Sequence, residues 1–221
     1  MKNLPAIAEK IHQAFEARTQ TRDRALANAR QVTRHAAQAI RAIHREEHDA
    51  AYEQLDQCRE LVRVMQADLT VFPELYYAGY TQDAIKEFVE ASITCALIEN
   101  QPLPSPDDLK VENATYINGL AEAAGELRRR CLDILRQGYS REAERLLSCM
   151  DDIYATLVTM DYPDAVTNGL RRQTDVIRGV VERTRGDLTI SLREQHLEQS
   201  MQTLMNRLSE TARPDEDHPG L

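Results

Sequence analysis

The segment that decides the class of fold is TRDRALANARQVTRHAAQAIRAIHRE, residues 21–46. When each residue is advanced by ~100° around a helix axis, small and aliphatic side chains collect on one face. That face predicts a long helix packed against an apolar core. It consists of Ala25, Ala29, Val32, Ala36, Ala39, Ile40 and Ile43.

The opposite face carries arginines that fall within about 60° of one another. We call it the arginine stripe: Arg30, Arg34, Arg41 and Arg45, with His48 in line if the helix continues. A solvated helix face explains such a stripe, and so does a track for nucleic-acid phosphates. Residues 1–45 carry nine basic and three acidic side chains, whereas residues 46–221 carry 18 and 33. This asymmetry agrees with the second interpretation, because a basic arm on an acidic body indicates an anionic partner.

The composition extends the helical interpretation to the whole chain of 221 residues. Only 8 Gly and 8 Pro are present, with 3 Phe and no Trp, which argues against an all-β fold and favours long helices. The sequence predicts one all-α domain over residues 1–210 and a disordered acidic tail over 211–221. We place helices at 5–18, 21–46, 48–70, 74–99, 113–137, 139–160 and 165–210.

Targeting and redox signals are sparse. Glu9 and Lys10 interrupt the N-terminal apolar stretch, so we expect no signal peptide, and we expect no membrane span. The cysteines at 58, 95, 131 and 149 form no CxxC pair. This spacing predicts reduced, structural thiols and a cytoplasmic protein.

Two pairs of carboxylates carry the candidate chemistry. Glu87 and Glu90 share one face of helix 74–99, and Glu122 and Glu126 share one face of helix 113–137. The second pair lies among small residues, where another backbone, a metal or a substrate can come close. If the two helices pack together, the four carboxylates converge on a site suited to Mg²⁺ or Mn²⁺. The alternative is that they are ordinary surface glutamates of an acidic protein.

The stretch HREEH at 44–48 formally matches the inverted zinc-protease pattern HxxEH. That pattern belongs to much larger α/β enzymes with a distant third ligand. We therefore expect no zinc site there and favour polar surface or an anion contact.

The two carboxylate helices resemble those of a known family. EFVEA at 87–91, followed by YINGLAEAAGELRRRC at 116–131, is similar to the signature helices of Trax, the translin-associated factor X of the translin family. Three further segments are more weakly similar: the long helix from Arg22 to Ile43-His44-Arg45, FPELYYAGY at 72–80 and MDDIYATLVTMDYP at 150–163. In all, the resemblance spans residues 22–195.

The resemblance implies an all-α, superhelical translin-like bundle of about seven helices that assembles into a hollow homo-oligomer, an octamer. It also implies Mg²⁺-dependent endonucleolytic cleavage of single-stranded RNA. The catalytic and metal-binding carboxylates of Trax fall on Glu87, Glu90, Glu122 and Glu126. Trax has Asp where this chain has Glu122, and Leu-Thr at 123–124, which puts metal geometry and rate in question.

We therefore predict a Trax-like ribonuclease that assembles with itself and holds single-stranded RNA, or single-stranded DNA, on the arginine stripe and His48. Tyr76 and Tyr77 are candidates for stacking on bases. One alternative is a non-catalytic single-stranded nucleic-acid-binding protein like translin. Another is an all-α nucleoside-triphosphate pyrophosphohydrolase, whose ExxE motif Glu87 and Glu90 would supply. The spacing of Glu122 and Glu126 does not fit the ExxD that usually follows in those enzymes.

Overall fold

The computed structural model describes residues 3–211, and every element within that range is helical, which confirms the all-α prediction. Six long helices and three four-residue helices occur there, against about seven predicted. The elements are α1 (Leu4–His44), α2 (His48–Asp68), a 3-10 turn (Leu69–Val71), α3 (Pro73–Tyr76), α4 (Gly79–Ile98), α5 (Pro106–Leu109), α6 (Asn113–Leu135), α7 (Arg141–Val158), α8 (Asp164–Thr167) and α9 (Leu170–Thr211).

The helices predicted at 5–18 and 21–46 are one continuous helix, α1. No Gly or Pro lies between Pro5 and the end of α1, so nothing in the backbone chemistry interrupts it. The helix ends two residues earlier than predicted, because Glu46 adopts a left-handed conformation with φ of 63°. All seven residues of the predicted apolar face are buried, as expected.

Two other predicted helices are divided. Helix 74–99 becomes α3 and α4, and helix 165–210 becomes α8 and α9. The second break has a clear cause, since Asn168 and Gly169 both adopt positive φ. Within the predicted loop 101–112, Ser105 and Asp108 form a capping box that starts α5. The predicted tail 211–221 lies outside the described residues, except that Thr211 ends α9.

One buried apolar cluster includes residues from all six long helices. The helix α4 is the most enclosed of them: eleven of its twenty residues are buried, among them Phe88 and Val89. The helices α1 and α6 pack on α4, so residues at the ends of α1 can reach side chains on α6. This arrangement positions the candidate site.

The cysteines are structural, as the sequence predicts. Cys58, Cys95 and Cys131 are buried, Cys149 is half-buried, and none forms a disulfide. Burial raises the pKa of the Cys58 thiol to about 12, so that thiol is unreactive at neutral pH. Between residues 3 and 211, no helix is both long enough and apolar enough to cross a bilayer.

Candidate active site

Three of the four predicted carboxylates meet at the interface of α4 and α6. One carboxylate oxygen each from Glu87, Glu90 and Glu122 lies within 4.8 Å of the other two. All three side chains are half-buried. We call this group the carboxylate cluster. The two predicted acidic pairs thus approach each other across the interface, with three of the four carboxylates in the cluster.

Gly119 explains why the two helices come so close. A Cβ atom built on Gly119 would lie 2.7 Å from Val89 Cγ1 and 3.0 Å from the Lys86 carbonyl oxygen. Only glycine therefore fits where α6 crosses α4. Gly125, the second glycine of α6, has no atom within 4 Å of such a Cβ and faces open space.

Glu126 stands beside the carboxylate cluster and is held separately. His44 Nε2, at the C-terminal end of α1, lies 2.6 Å from Glu126 Oε2. Arg129 Nη1 approaches the same oxygen at 3.5 Å. Within residues 3–211 no hydrogen bond reaches Oε1 of Glu126. The fourth carboxylate is thus adjacent to the other three and keeps one unengaged oxygen.

Burial and charge repulsion shape the acidity of the site. Burial, together with the charges of Glu87, Glu122 and Glu126, raises the pKa of Glu90 to about 8. Burial and the Glu122 charge also raise the pKa of Glu87. The hydrogen bond from His44 has the opposite effect and holds the pKa of Glu126 below its ordinary value. Such divergent values among neighbouring carboxylates are typical of functional sites.

Two side chains donate hydrogen bonds to Glu122, and the sequence pattern did not predict either contact. Lys86 Nζ donates to Glu122 Oε1 at 2.6 Å, and Gln173 Nε2 on α9 donates to the same oxygen at 3.1 Å. Burial opposes the charge of Lys86, but the bond to Glu122 and the charges of Glu122, Glu87 and Asp83 together outweigh it and raise the pKa of Lys86. Lys86 was detectable, since it lies four residues before Glu90 on the same helix face. Gln173 lies 51 residues from Glu122 and gives no local signal.

His44 is the other residue whose role the sequence did not reveal. Its side chain is 4% exposed, and its Nδ1 has no partner among the described residues. The two histidines of the HxxEH match do not share a ligand position, because His48 opens α2 and bonds to Glu99. His48 therefore does not extend the helix of the arginine stripe, and it begins α2 where the predicted helix 48–70 begins. Its predicted contact with RNA remains a prediction.

The arginine stripe lies on the exposed side of α1. All four arginines are exposed, and none forms an ion pair with another residue between 3 and 211. Arg45, the C-cap of α1, lines a cavity of about 520 Å³ together with His44, Arg130 and Arg136. Glu46 and Asp133 line the same cavity, so it joins the end of the stripe to His44 with charges of both signs.

The two predicted stacking residues differ in exposure. Tyr77 is 62% exposed, whereas Tyr76 is half-buried against the core. Their rings pack edge to face with centroids 5.0 Å apart. Of the two, Tyr77 presents the more accessible ring.

The donor set of the carboxylate cluster fits a hard divalent ion. Its three ligand atoms are all carboxylate oxygens, the atoms that Mg²⁺ and Mn²⁺ prefer. No His or Cys joins the group among the described residues, and such ligands would favour Zn²⁺.

Known proteins share both the sequence pattern and this fold. A model of the Translin family matches residues 6–185. An uncharacterised protein of Methanocaldococcus jannaschii is 32% identical over 191 residues, which cover 86% of this chain and 84% of that protein.

Solved structures give the same result. The crystal structure of AfC3PO has a TM-score of 0.79 at 32% identity and covers 85% of this chain and 97% of its own. A complex of AfC3PO with duplex RNA has a TM-score of 0.76 at 32% identity, with 88% and 98% covered. The structure of apo-NeC3PO, with a TM-score of 0.72, 20% identity and coverage of 86% and 98%, supports the fold alone.

Proposed function

Because the chain belongs to the Translin family, we propose that it is a Trax-type, Mg²⁺-dependent endoribonuclease that cleaves single-stranded RNA. The observation that carries this proposal is the meeting of Glu87, Glu90 and Glu122 across the interface of α4 and α6. Three carboxylates, with Glu126 beside them, are brought to one place although like charges repel, and a bound divalent ion would offset that cost. A purely structural surface has no need of such an arrangement.

The carboxylate cluster would hold Mg²⁺, or Mn²⁺ in its place. A bound divalent ion supplies charge stabilisation for the phosphate and activation of water. Glu126 adds an ionised carboxylate next to the cluster, because the contact with His44 keeps it deprotonated at neutral pH. Glu122 is one methylene longer than the Asp of Trax, yet its carboxylate still reaches the other two.

The strand itself would bind to the exposed basic surface of α1. The arginines of the stripe have no ion-pair partner within residues 3–211, so their side chains are available for phosphate oxygens, and Arg45 leads from the stripe toward His44 and Glu126. Tyr77 would contribute stacking of its exposed ring on a base. The complex of AfC3PO with duplex RNA supports a role in RNA binding, and it makes duplex RNA the natural comparison substrate.

A homo-oligomer, the octamer of the family resemblance, is part of the proposal. The outer parts of α1 and α9 expose apolar side chains at helical spacing, which favours burial against further copies. They are Leu4, Ile7, Ile11 and Phe15 on α1 and Leu197, Met201 and Leu204 on α9. A particle with the mass of one chain, unchanged by concentration, would contradict this assembly.

The decisive experiment incubates the purified full-length protein with end-labelled single-stranded RNA, with and without Mg²⁺ or Mn²⁺. A duplex of the same sequence runs in parallel. We expect fragments from the single strand only when metal is present, and none from a Glu90→Gln protein. Binding without cleavage at any metal concentration would select the translin-like binding protein instead. Release of pyrophosphate from nucleotides would select the pyrophosphohydrolase, which gains no support from the family match.

A further inference from the structure

Glu122 and Glu126, the two site carboxylates of α6, are each held by one oxygen only. Donors from other helices reach Oε1 of Glu122, namely Lys86 on α4 and Gln173 on α9. At Glu126 the donor from another helix is His44 on α1, and it reaches Oε2. In each case the second carboxylate oxygen accepts no hydrogen bond from residues 3–211.

We propose that His44 positions Glu126 for the divalent ion, in the same way that Lys86 and Gln173 position Glu122. One oxygen of each carboxylate is fixed by a donor, and the other is left for the ion. This inference rests on the proposed metal site and assigns to three residues a role that the motifs do not give. Donors behind metal ligands orient them, and their loss typically weakens metal affinity by about 10–100-fold.

The surroundings of His44 favour this role over a simple core position. Its side chain is almost fully buried, yet only Nε2 finds a partner. Because an ionised carboxylate can only accept, the hydrogen bond between Nε2 and Glu126 is one that His44 donates. A buried imidazole with an unsatisfied nitrogen is costly, and a fixed Glu126 is a functional reason to keep it.

The neighbouring backbone anchors the same contact. Arg130 Nη1 donates to the His44 carbonyl oxygen at 3.3 Å, and Arg130 Nη2 pairs with Glu46 at 2.7 Å. The last residue of α1 is therefore attached to α6 through both its side chain and its main chain. This rigidity is what a positioning contact requires.

The test measures Mg²⁺ binding to the full-length protein by titration calorimetry in the absence of RNA. His44→Leu removes the donor, and we expect its dissociation constant for Mg²⁺ to rise by about 10–100-fold. His44→Gln retains an N–H donor on a flexible side chain, and we expect it to recover most of the affinity. Gln173→Leu should cause a smaller loss, because Lys86 still holds Glu122 Oε1.

His35→Leu is the matched control, since His35 lies on the same helix and its Nδ1 bonds to Gln54 Oε1 at 2.8 Å, away from the carboxylates. Its Mg²⁺ affinity should equal that of the wild type. Equal affinity of His44→Leu and wild type, or equal losses at His35 and His44, would overturn the positioning role while leaving the proposed nuclease intact. If His44→Leu does not fold, His44→Asn replaces it, because its side chain stays polar but is too short to reach Glu126, and we expect the same loss of affinity. A wild-type protein that binds neither Mg²⁺ nor Mn²⁺ refutes both proposals.

Discussion

Replacing Gly119 by alanine tests whether close packing of α4 on α6 builds the site. The added Cβ would lie 2.7 Å from Val89 Cγ1 and 2.8 Å from Val89 Cβ, atoms of a stiff, fully buried side chain. Overpacking of this kind costs about 1–3 kcal/mol. Alanine is favoured over glycine in a helix by roughly 1 kcal/mol. The net effect on the free energy of unfolding is therefore a loss of up to about 2 kcal/mol.

Gly125→Ala provides the control because it places the same change on the same helix. No atom lies within 4 Å of its added Cβ, so only the helix propensity acts and the protein gains roughly 1 kcal/mol. The propensity cancels between the two variants, and their difference of about 1–3 kcal/mol measures the clash alone. Urea unfolding at a fixed protein concentration provides the measurement. Equal stability of Gly119→Ala and Gly125→Ala would refute the conclusion that α4 and α6 pack closely at Gly119. We also expect weaker Mg²⁺ binding for Gly119→Ala only, since the shift separates Glu122 from α4.

Three further predictions concern the ion and the strand. Glu126→Gln should abolish RNA cleavage and leave RNA binding intact, because Gln keeps the volume and removes the charge that a hard ion requires; cleavage at the wild-type rate would show that the active site is placed wrongly. Replacing Arg30, Arg34 and Arg41 by Glu should weaken RNA binding. The slope of log affinity against log salt concentration should decrease in magnitude by ~0.7 for each phosphate that the protein no longer neutralises. Circular dichroism should show unchanged helix content. An unaltered slope would mean that the stripe is only solvated. Because the pKa of Glu90 is raised to about 8, the metal-free protein should lose stability as pH rises from about 4.5 through about 8. Mg²⁺ must displace this proton, so its affinity should increase up to about tenfold per pH unit below pH 8, and Glu90→Gln should remove that dependence.

Periodicity within one helix was enough to predict much of this structure. The apolar face of α1 is buried at every predicted position, and Glu87 and Glu90 share one face of α4. Such inferences succeed because residues three or four apart on a helix are neighbours whatever the rest of the chain does. The family resemblance added the pairing of the two acidic motifs, which spacing alone left open.

The contacts that could not be predicted from the sequence all join residues that are distant along the chain. His44 and Glu126 are 82 positions apart, and Gln173 and Glu122 are 51 apart. No local pattern records which helices pack together, so neither contact can be derived from spacing. The end of α1 was misplaced for a related reason: Glu46 carries no signal of a left-handed turn, whereas Gly or Asn at that position would have.

The position of His44 connects the two halves of the proposed function. The arginine stripe and His44 belong to one rigid helix, and His44 is the residue of that helix that contacts Glu126. A phosphate bound at Arg41 or Arg45 therefore acts on the same helix end that holds the fourth carboxylate. If binding of the strand shifts that end, Glu126 must move with it, because His44 and Arg130 attach α1 to α6 at two points. Strand binding and ion binding are thus expected to be coupled, and by linkage RNA should change the affinity for Mg²⁺ by the same factor as Mg²⁺ changes the affinity for RNA.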